Sequence, residues 1–419
     1  MKPNILIIVI DSLRADKCFG HKSLQTPNID SLIKKGIYFN QAFTSIPATV
    51  GSLGCMFTGE YSFKTGINTF QHKSKIETYF DILKKSNYNR YAIIPDTTYF
   101  NEWTKNFNDV DRTEMFSSLE QVGPKIINKL ESNKMHEPWI YYIHLMDLHA
   151  DTNEKFRIPD QFNKDKYGLD EYDRTVFFID YWIGKIFEKI DFENTLVIIT
   201  SDHGHTGKLH SKNKTIKKII SKGKIFGSKF YSIGGNLLKI IRTTSGEHQE
   251  FFKLPDTLLN IPLIFAGYKI NKHNIINQLV RNIDIFPTIS DIIGLDEQKN
   301  ISGRTLLPLF ESKELEELPI YIENKTIDLE MSNSIIGLRN SSYKYYRDRN
   351  DPDSKINLYN LKNDPDEIKN IATEKSQIIT QMEKMLEEIK INSIHNENSE
   401  ITDDEEEIVK KELKKLGYI

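Results

Sequence analysis

Four short stretches of this chain hold the residues best suited to chemistry. In the first, an apolar run beginning at Leu196 stops abruptly at Asp202, His203 and Gly204. A carboxylate and an imidazole at the end of a buried strand are two good ligands for a divalent cation, and open α/β sheets bind ligands at that carboxyl edge. A turn or helix cap uses the same two residue types, so the pair is ambiguous alone. The second stretch places Asp11 immediately after the β-rich run Asn4–Ile10. Such a residue projects from a parallel sheet's edge, although an Asp standing alone is better read as a capping or loop residue. The third, Ser45–Gly59, packs Thr49, Ser52 and Thr58 among Gly51, Gly54 and Gly59. This density of small and hydroxyl residues suggests a tight loop feeding a helix N-terminus, where free N–H groups and the helix dipole favour an anion. A Thr49 hydroxyl touching a cation loses its proton more easily and becomes a nucleophile; the alternative is a simple N-cap. The fourth, His144-Leu-Met-Asp147-Leu-His149, follows the apolar run Trp139–Ile143. Its imidazoles and carboxylate can bind substrate oxygens, move protons or hold a second metal, or they are hydrogen-bonded loop residues.

These groups need a scaffold that brings strand ends together. Strands are predicted at Asn4–Ile10, Arg90–Ile94, Trp139–Ile143, from Leu196, and at Ile261–Phe265. Helices are predicted from Pro27 to a C-cap at Gly36, and over Ile76–Lys85, Leu119–Glu131 and Asp170–Ile190. This alternation predicts an α/β fold with a mainly parallel sheet flanked by helices. Beyond Pro319 the strands Ile320–Glu323, Ile335–Arg339, Tyr343–Tyr346 and Ile356–Leu361 are short and turn-linked, with a helix over Glu367–Ile389. They predict a small C-terminal antiparallel subdomain. The expected organisation is a catalytic α/β domain over 1–318, this subdomain over 319–391, and a linker with a charged terminal helix over 392–419.

Net charge is only −3 over 419 residues, and no nucleic-acid partner is expected. Cys18 and Cys55 form no framework or C-x-x-C motif. With no leader-like N-terminus and no apolar run of membrane-spanning length, a cytoplasmic protein is expected. Oligomeric state is left open. One stretch stands apart: Gly204–Gly246 carries ten Lys or Arg and no Asp or Glu. It reads as an insertion, either a solvated loop, a lid over an anionic substrate, or a patch for lipid headgroups.

Asp11, Thr26-Pro-Asn-Ile-Asp30, the Thr49-x-x-Ser52-x5-Thr58-Gly59 loop and Thr200-Ser-Asp-His-Gly204 occur in an order that resembles the sulfatase-like branch of the alkaline phosphatase superfamily. Asp284, Arg304 and Asp364-Pro365 also resemble family landmarks, the first two expected to be structural. The resemblance implies an alkaline-phosphatase-like fold, and one divalent cation bound by Asp11, Thr49, Asp202 and His203. It also puts Thr49 at the nucleophile position, with His144, His149 and His248 binding oxygens or serving the leaving group. Mixed oxygen and nitrogen ligands favour Mn²⁺ or Zn²⁺ over Mg²⁺ or Ca²⁺.

The chain departs from the sulfatase pattern at informative places. Family members carry a Cys or Ser that becomes formylglycine, followed by Pro and Arg; here Thr49, Gly51 and Leu53 stand instead. His203 also replaces an Asn, and Ser12 an Asp. The expectation is therefore a metal-dependent hydrolase of phosphate mono- or diesters, or phosphonate esters, through a covalent Thr49 intermediate. The expected substrate is an anionic small molecule, glycan or lipid-headgroup ester. Sulfuric ester hydrolysis and phosphoethanolamine- or phosphoglycerol-type transfer are the enzymatic alternatives. The non-enzymatic one is a metal-binding pseudoenzyme holding an acidic glycan or lipid surface.

Overall fold

Strand β1 (Asn4–Ile10) shows how the sheet is built. All seven of its residues are buried, with Ile5, Ile7 and Val9 in one hydrophobic core and Leu6, Ile8 and Ile10 in another. A strand with no polar face belongs in the middle of a sheet covered on both sides. The computed structural model describes residues 2–18, 24–67, 71–74, 76–132, 134–149, 156–205, 254–270, 272–295, 301–324 and 334–391. The basic insertion past His205, His248 and the expected terminal helix lie outside the described residues.

After β1 come α1 (Pro27–Ile33), β2 (Ile37–Phe43), α2 (Thr49–Thr58), α3 (Ser62–Thr65), α4 (Tyr79–Lys85), β3 (Asn89–Pro95), α5 (Thr98–Thr104) and β4 (Asp109–Thr113). Next are α6 (Leu119–Glu131), β5 (Trp139–Leu145), α7 (Glu171–Phe187), β6 (Thr195–Thr200), α8 (Asp256–Leu259), β7 (Asn260–Gly267), β8 (Asn274–Ile276) and β9 (Val280–Arg281). The chain continues through α9 (Ile285–Ile293), α10 (Leu307–Phe310), β10 (Ile320–Asn324), β11 (Ile335–Arg339), β12 (Tyr343–Asp348), β13 (Asn357–Asn360) and α11 (Ser376–Ile391).

The large sheet runs β4-β3-β5-β1-β6-β7-β2-β8, with β9 also on β2. Strands β4 to β6 in that order are parallel, whereas β7 is antiparallel to both β6 and β2. The mainly parallel α/β architecture expected from sequence is observed. Four strands were not anticipated: the short β8 and β9, of three and two residues, and β2 and β4, the last two for physical reasons. β2 is broken by Asn40-Gln41, where its pairing with β7 shifts register, and β4 is a polar, partly exposed edge strand without alternation.

Several expected boundaries move. Helix α1 stops at Ile33, and Gly36 serves close approach instead of capping, since a Cβ there would lie 2.4 Å from the Phe265 carbonyl. Helix α4 starts at Tyr79 because Asp81 accepts the Thr78 N–H (3.2 Å) and hydroxyl (2.6 Å), a local cap. Helix α11 starts at Ser376, not near Glu367, because Asp364 takes the Ile368 and Lys369 N–H groups into a turn.

The C-terminal strands form the expected antiparallel sheet, β10-β11-β12-β13. Met382 and Leu386 of α11 cover it, and its core also takes in Cys55 of α2 and, on either side of that helix, Ile46 and Tyr61. Near that junction Arg281 is buried and bidentate to Asp284, with Nη2 2.6 Å from Oδ1 and Nε 3.1 Å from Oδ2. Asp284 also accepts the Arg304 N–H at 3.0 Å. Removing one partner of a buried pair strands the other charge, at a cost of about 3–5 kcal/mol. Asp284→Ala is therefore expected to lower the urea midpoint by a corresponding amount, measured on the metal-free protein.

Candidate metal centre and nucleophile

Pairing of β1 with β6 places Val9 opposite Thr200, so Asp11 and Asp202, two residues beyond each, leave the sheet edge side by side. Both are fully buried. Ligand atoms from Asp11, Asp202 and His203 all lie within 4.8 Å of one another. Asp202 Oδ2 and His144 Nε2 have no hydrogen-bond partner among the described residues. A buried carboxylate oxygen without a donor is costly, on the order of 1–3 kcal/mol or more. Two carboxylates and an imidazole with such an orphaned oxygen fit a divalent cation.

The backbone around the ligands is fixed by hydrogen bonds. Ser12 adopts φ 61°, a left-handed conformation that a non-glycine residue keeps only when its surroundings enforce it. Its hydroxyl donates to Asp11 Oδ1 (2.7 Å), its N–H donates to Asp202 Oδ1 (3.1 Å), and its carbonyl accepts the Tyr172 hydroxyl (2.9 Å). Ser201 Oγ lies between the carbonyls of Ile10 (2.7 Å) and His203 (2.6 Å) and accepts the Leu13 N–H (3.0 Å). His203 donates from Nδ1 to the Gly204 carbonyl at 2.8 Å, which leaves Nε2 toward Thr49.

Thr49 is the first residue of α2, not its N-cap; Ala48 occupies the cap and has no side-chain oxygen. The first N–H groups of the helix therefore remain available to an anion. Thr49 Oγ1 donates to Asp11 Oδ2 at 3.2 Å and lies 3.5 Å from His203 Nε2. One turn on, Ser52 Oγ donates to the Asp202 carbonyl at 2.5 Å and accepts from Asn282 Nδ2 at 3.3 Å. Leu53, at the family's Arg position, is wholly buried in the core.

Charge is unevenly shared. Burial works against ionisation of Asp11, but the imidazoles of His149, His144 and His203 outweigh it and hold that carboxyl far below the usual range. Asp202 moves the other way, raised by burial and then by Asp11. For His203, burial opposes the charged ring while Asp202 and Asp11 overcome it and raise its proton affinity.

His144 is not in a loop: β5 extends to Leu145, and His144 sits opposite Val9 of β1. Its Nδ1 lies 3.0 Å from the Tyr142 hydroxyl and its Nε2 3.5 Å from Asp11 Oδ2. It thus stands behind Asp11 on a buried strand. His149 lies past the strand end, its ring 5.9 Å from Phe116, and acts electrostatically on Asp11. Asp147, between them, accepts the Leu119 N–H at 2.9 Å at the start of α6, away from the metal cluster's ligand set.

Burial pushes Asp147 up to about 7 and Asp180 up to about 6. Both native states hold a proton that the unfolded chain has released, so stability falls as pH rises from about 4 through these values. Asp147→Asn keeps an acceptor for Leu119 and removes one such group. Its melting temperature is expected to fall less than that of the wild type between pH 5 and 8, by thermal denaturation.

Sequence reading missed Tyr142, Ser201 and Asn282 as supports. Tyr142 had a usable signal, since it lies two residues before His144 and shares its strand face. Asn282 had none, being 230 residues from Ser52.

Residues 3–295 match the family model described as sulfatase, and residues 246–392 match the model described as N-sulphoglucosamine sulphohydrolase, C-terminal. Arylsulfatase K of Gallus gallus is 22% identical, over 93% of this chain and 82% of that protein. The ulvan-active sulfatase of Formosa agariphila is 24% identical, over 83% of this chain and 66% of that protein. BT4656, solved with its substrate D-glucosamine-2-N,6-O-disulfate, superposes with TM-score 0.70 at 17% identity, covering 94% of this chain and 98% of its own. The phosphonate monoester hydrolase of Agrobacterium radiobacter gives 0.68 at 15% identity, covering 94% and 96%; these two likenesses show the fold.

The relatives' names correct one expectation. Phosphoric esters, including phosphodiesters, were placed ahead of sulfuric esters because of Thr49 and His203, yet the curated relatives are sulfatases. The physical reason is that a hydroxyl in place of an aldehyde specifies which bond forms, not which tetrahedral oxyanion is bound. With the fold, the ordered motifs and a family model covering residues 3–295 in agreement, the chain belongs to the sulfatase family.

Proposed function

We propose that this chain is a metal-dependent sulfuric ester hydrolase acting on a sulfated carbohydrate, with Thr49 as nucleophile. The observation that supports this most is the Thr49 hydroxyl at the open N-terminus of α2, 3.2 Å from Asp11 and 3.5 Å from His203. Sulfatases among its relatives, and a fold shared with BT4656, solved with a sulfated sugar as its substrate, support the substrate class.

Asp11, Asp202 and His203 would hold a divalent cation, whose positive charge would ease loss of the Thr49 hydroxyl proton and offset charge on the sulfate. Asp11 orients Thr49 Oγ1 by accepting its hydrogen bond, and the hydroxyl proton leaves to solvent before attack. The free N–H groups and dipole of α2 bind non-bridging sulfate oxygens. Thr49 Oγ1 then forms a bond to sulfur while the bond from sulfur to the sugar oxygen breaks. His149 protonates that departing oxygen. Deprotonated His149 next takes a proton from water, the resulting hydroxide attacks the sulfur of sulfated Thr49, and sulfate leaves with the Thr49 oxygen restored as alkoxide. Ser52 and Ser201 keep α2 and the metal loop in register throughout.

The test is ester turnover by the purified full chain with Mn²⁺, Zn²⁺ or Ca²⁺, comparing p-nitrophenyl sulfate and a sulfated glucosamine with p-nitrophenyl phosphate. Metal-dependent sulfate release exceeding phosphate release is expected. Phosphate release without sulfate release would overturn the reading.

A further inference from the structure

Two buried cations and two partly buried carboxylates gather where β11 and β12 meet α8. Lys344 is wholly buried, with Nζ 2.6 Å from Asp256 Oδ1 and 2.8 Å from Glu367 Oε2. Arg339 Nη2 lies 2.9 Å from Asp256 Oδ2. Glu367 Oε1 also accepts the Asp256 N–H at 2.7 Å, and Glu367 itself holds φ 56°, a conformation its neighbours must enforce. Two cations and a second carboxylate thus converge on both the side chain and the backbone of Asp256. Apolar residues hold a fold together at least as well as a buried ionic cluster, so stability alone is a weak account of it. What Asp256 positions is a better one.

Asp256 opens α8, a single turn whose carbonyls close on the metal loop. Gly204 donates its N–H to the Leu258 carbonyl at 2.8 Å. A Cβ on Gly204 would fall 2.0 Å from the Thr257 carbonyl, so the two backbones meet at a distance that only glycine permits. Gly204 in turn accepts the His203 Nδ1 proton at 2.8 Å, the bond that aims Nε2 at Thr49. An unbroken path of ionic and hydrogen-bonded contacts therefore runs from the C-terminal sheet to the imidazole of the metal cluster.

We propose that Lys344 is a positioning residue for the metal centre: with Arg339 and Glu367 it pins Asp256, and through α8 and Gly204 it sets the ring of His203. This rests on the reading of His203 as a metal ligand. Partners behind a ligating histidine typically change metal affinity by about 10–100-fold when removed. The C-terminal sheet is then part of the catalytic apparatus although none of its residues touches the reacting atoms.

The experiment is calorimetric titration of the full chain with Mn²⁺ alone, alongside thermal denaturation. Lys344→Met is expected to weaken Mn²⁺ binding by about tenfold or more. Arg347→Met is the control: it removes the partly buried ion pair of Arg347 with Glu383, three residues along the same strand and hence on the opposite face, and Arg347 has no contact with Asp256 among its described bonds. It is expected to lower the melting temperature and bind Mn²⁺ as the wild type does. If Lys344→Met does not fold, Glu367→Gln, which keeps an acceptor for the Asp256 N–H, takes its place under the same criterion. Wild-type affinity in the Lys344 or Glu367 variant, or equal weakening in Arg347→Met, overturns the proposal. His203→Gln separates the two ideas. Unchanged Mn²⁺ binding there removes His203 as a ligand, whereas loss of binding there with wild-type binding in Lys344→Met defeats only the positioning role.

Discussion

Thr49→Ala is expected to reduce sulfate-ester turnover by about a thousandfold or more, with little change in folding stability. The two halves of this result have separate origins. Turnover falls because in the proposed reaction the Thr49 oxygen bonds to sulfur, and the neighbouring hydroxyl of α2 cannot replace it: Ser52 Oγ is committed to the Asp202 carbonyl and faces Asn282. Stability changes little because Thr49 does not cap α2, a role that belongs to Ala48, and its hydroxyl's contacts with Asp11 and His203 are long, at 3.2 and 3.5 Å. Alanine is also the better residue inside a helix. Thr49→Ser keeps the oxygen and is expected to retain most of the activity. Sulfate release and thermal melting, measured on all three proteins, check this. Turnover surviving in Thr49→Ala would remove the nucleophile assignment, and equal loss in Thr49→Ser would show that the methyl group, not the hydroxyl, matters.

Asp202→Asn is expected to move stability in opposite directions with and without metal. Asp11 and Asp202 are both fully buried, and burial together with Asp11 raises the proton affinity of Asp202. Two such carboxylates oppose each other in a metal-free protein. Above the ordinary carboxylate range the native state pays for that proximity, because the unfolded chain releases the proton more readily. Asparagine keeps an oxygen to accept the Ser12 and His203 N–H groups, at 3.1 and 2.8 Å in the native protein, and brings no charge. The metal-free variant is therefore expected to melt above the metal-free wild type near neutral pH. Mn²⁺ reverses the order. A ligand at about 100 times its Kd adds about 2.7 kcal/mol to the stability of the protein that binds it, and the variant, lacking one anionic ligand, gains far less. Differential scanning calorimetry with Mn²⁺ or a chelator reads both halves. A variant that melts lower in chelator and gains as much from Mn²⁺ would contradict the assignment of this pair.

How much of this was legible in sequence follows from whether each signal is local. β1 declares itself because seven successive residues are buried and all but Asn4 are aliphatic, and α6 was predicted at its observed limits, Leu119–Glu131. That Asp11 and the Asp202-His203 pair lie at strand ends was also readable, since both follow an apolar run that stops abruptly, whereas Thr49 joined them only through the family resemblance of its hydroxyl-rich loop. Three things were hidden. β4 has almost no apolar pattern, so only pairing with β3 makes it a strand. His144 was placed in a loop because its own type says nothing of burial, which comes from the neighbouring β1 and from Phe100, 4.7 Å away between ring centres. The supports from Asn282, Tyr172 and Asp256 join residues far apart in the chain, and no spacing rule reaches across such gaps. The choice between phosphate and sulfate was misread for a different reason: ligand type and nucleophile type are local, while discrimination between two tetrahedral anions is a property of the whole pocket.

Helix α2 offers a last point. All ten of its residues are buried, from Thr49 to Thr58, so it has no solvent face. A helix on a protein surface slides or tilts at little cost, exchanging contacts for water. One enclosed on every side by close-packed neighbours moves only if they move too. The Thr49 hydroxyl therefore has no soft direction of displacement, and its alignment is as rigid as the core that encloses the helix. As temperature rises, such a centre holds its geometry until the domain melts and then loses it all at once.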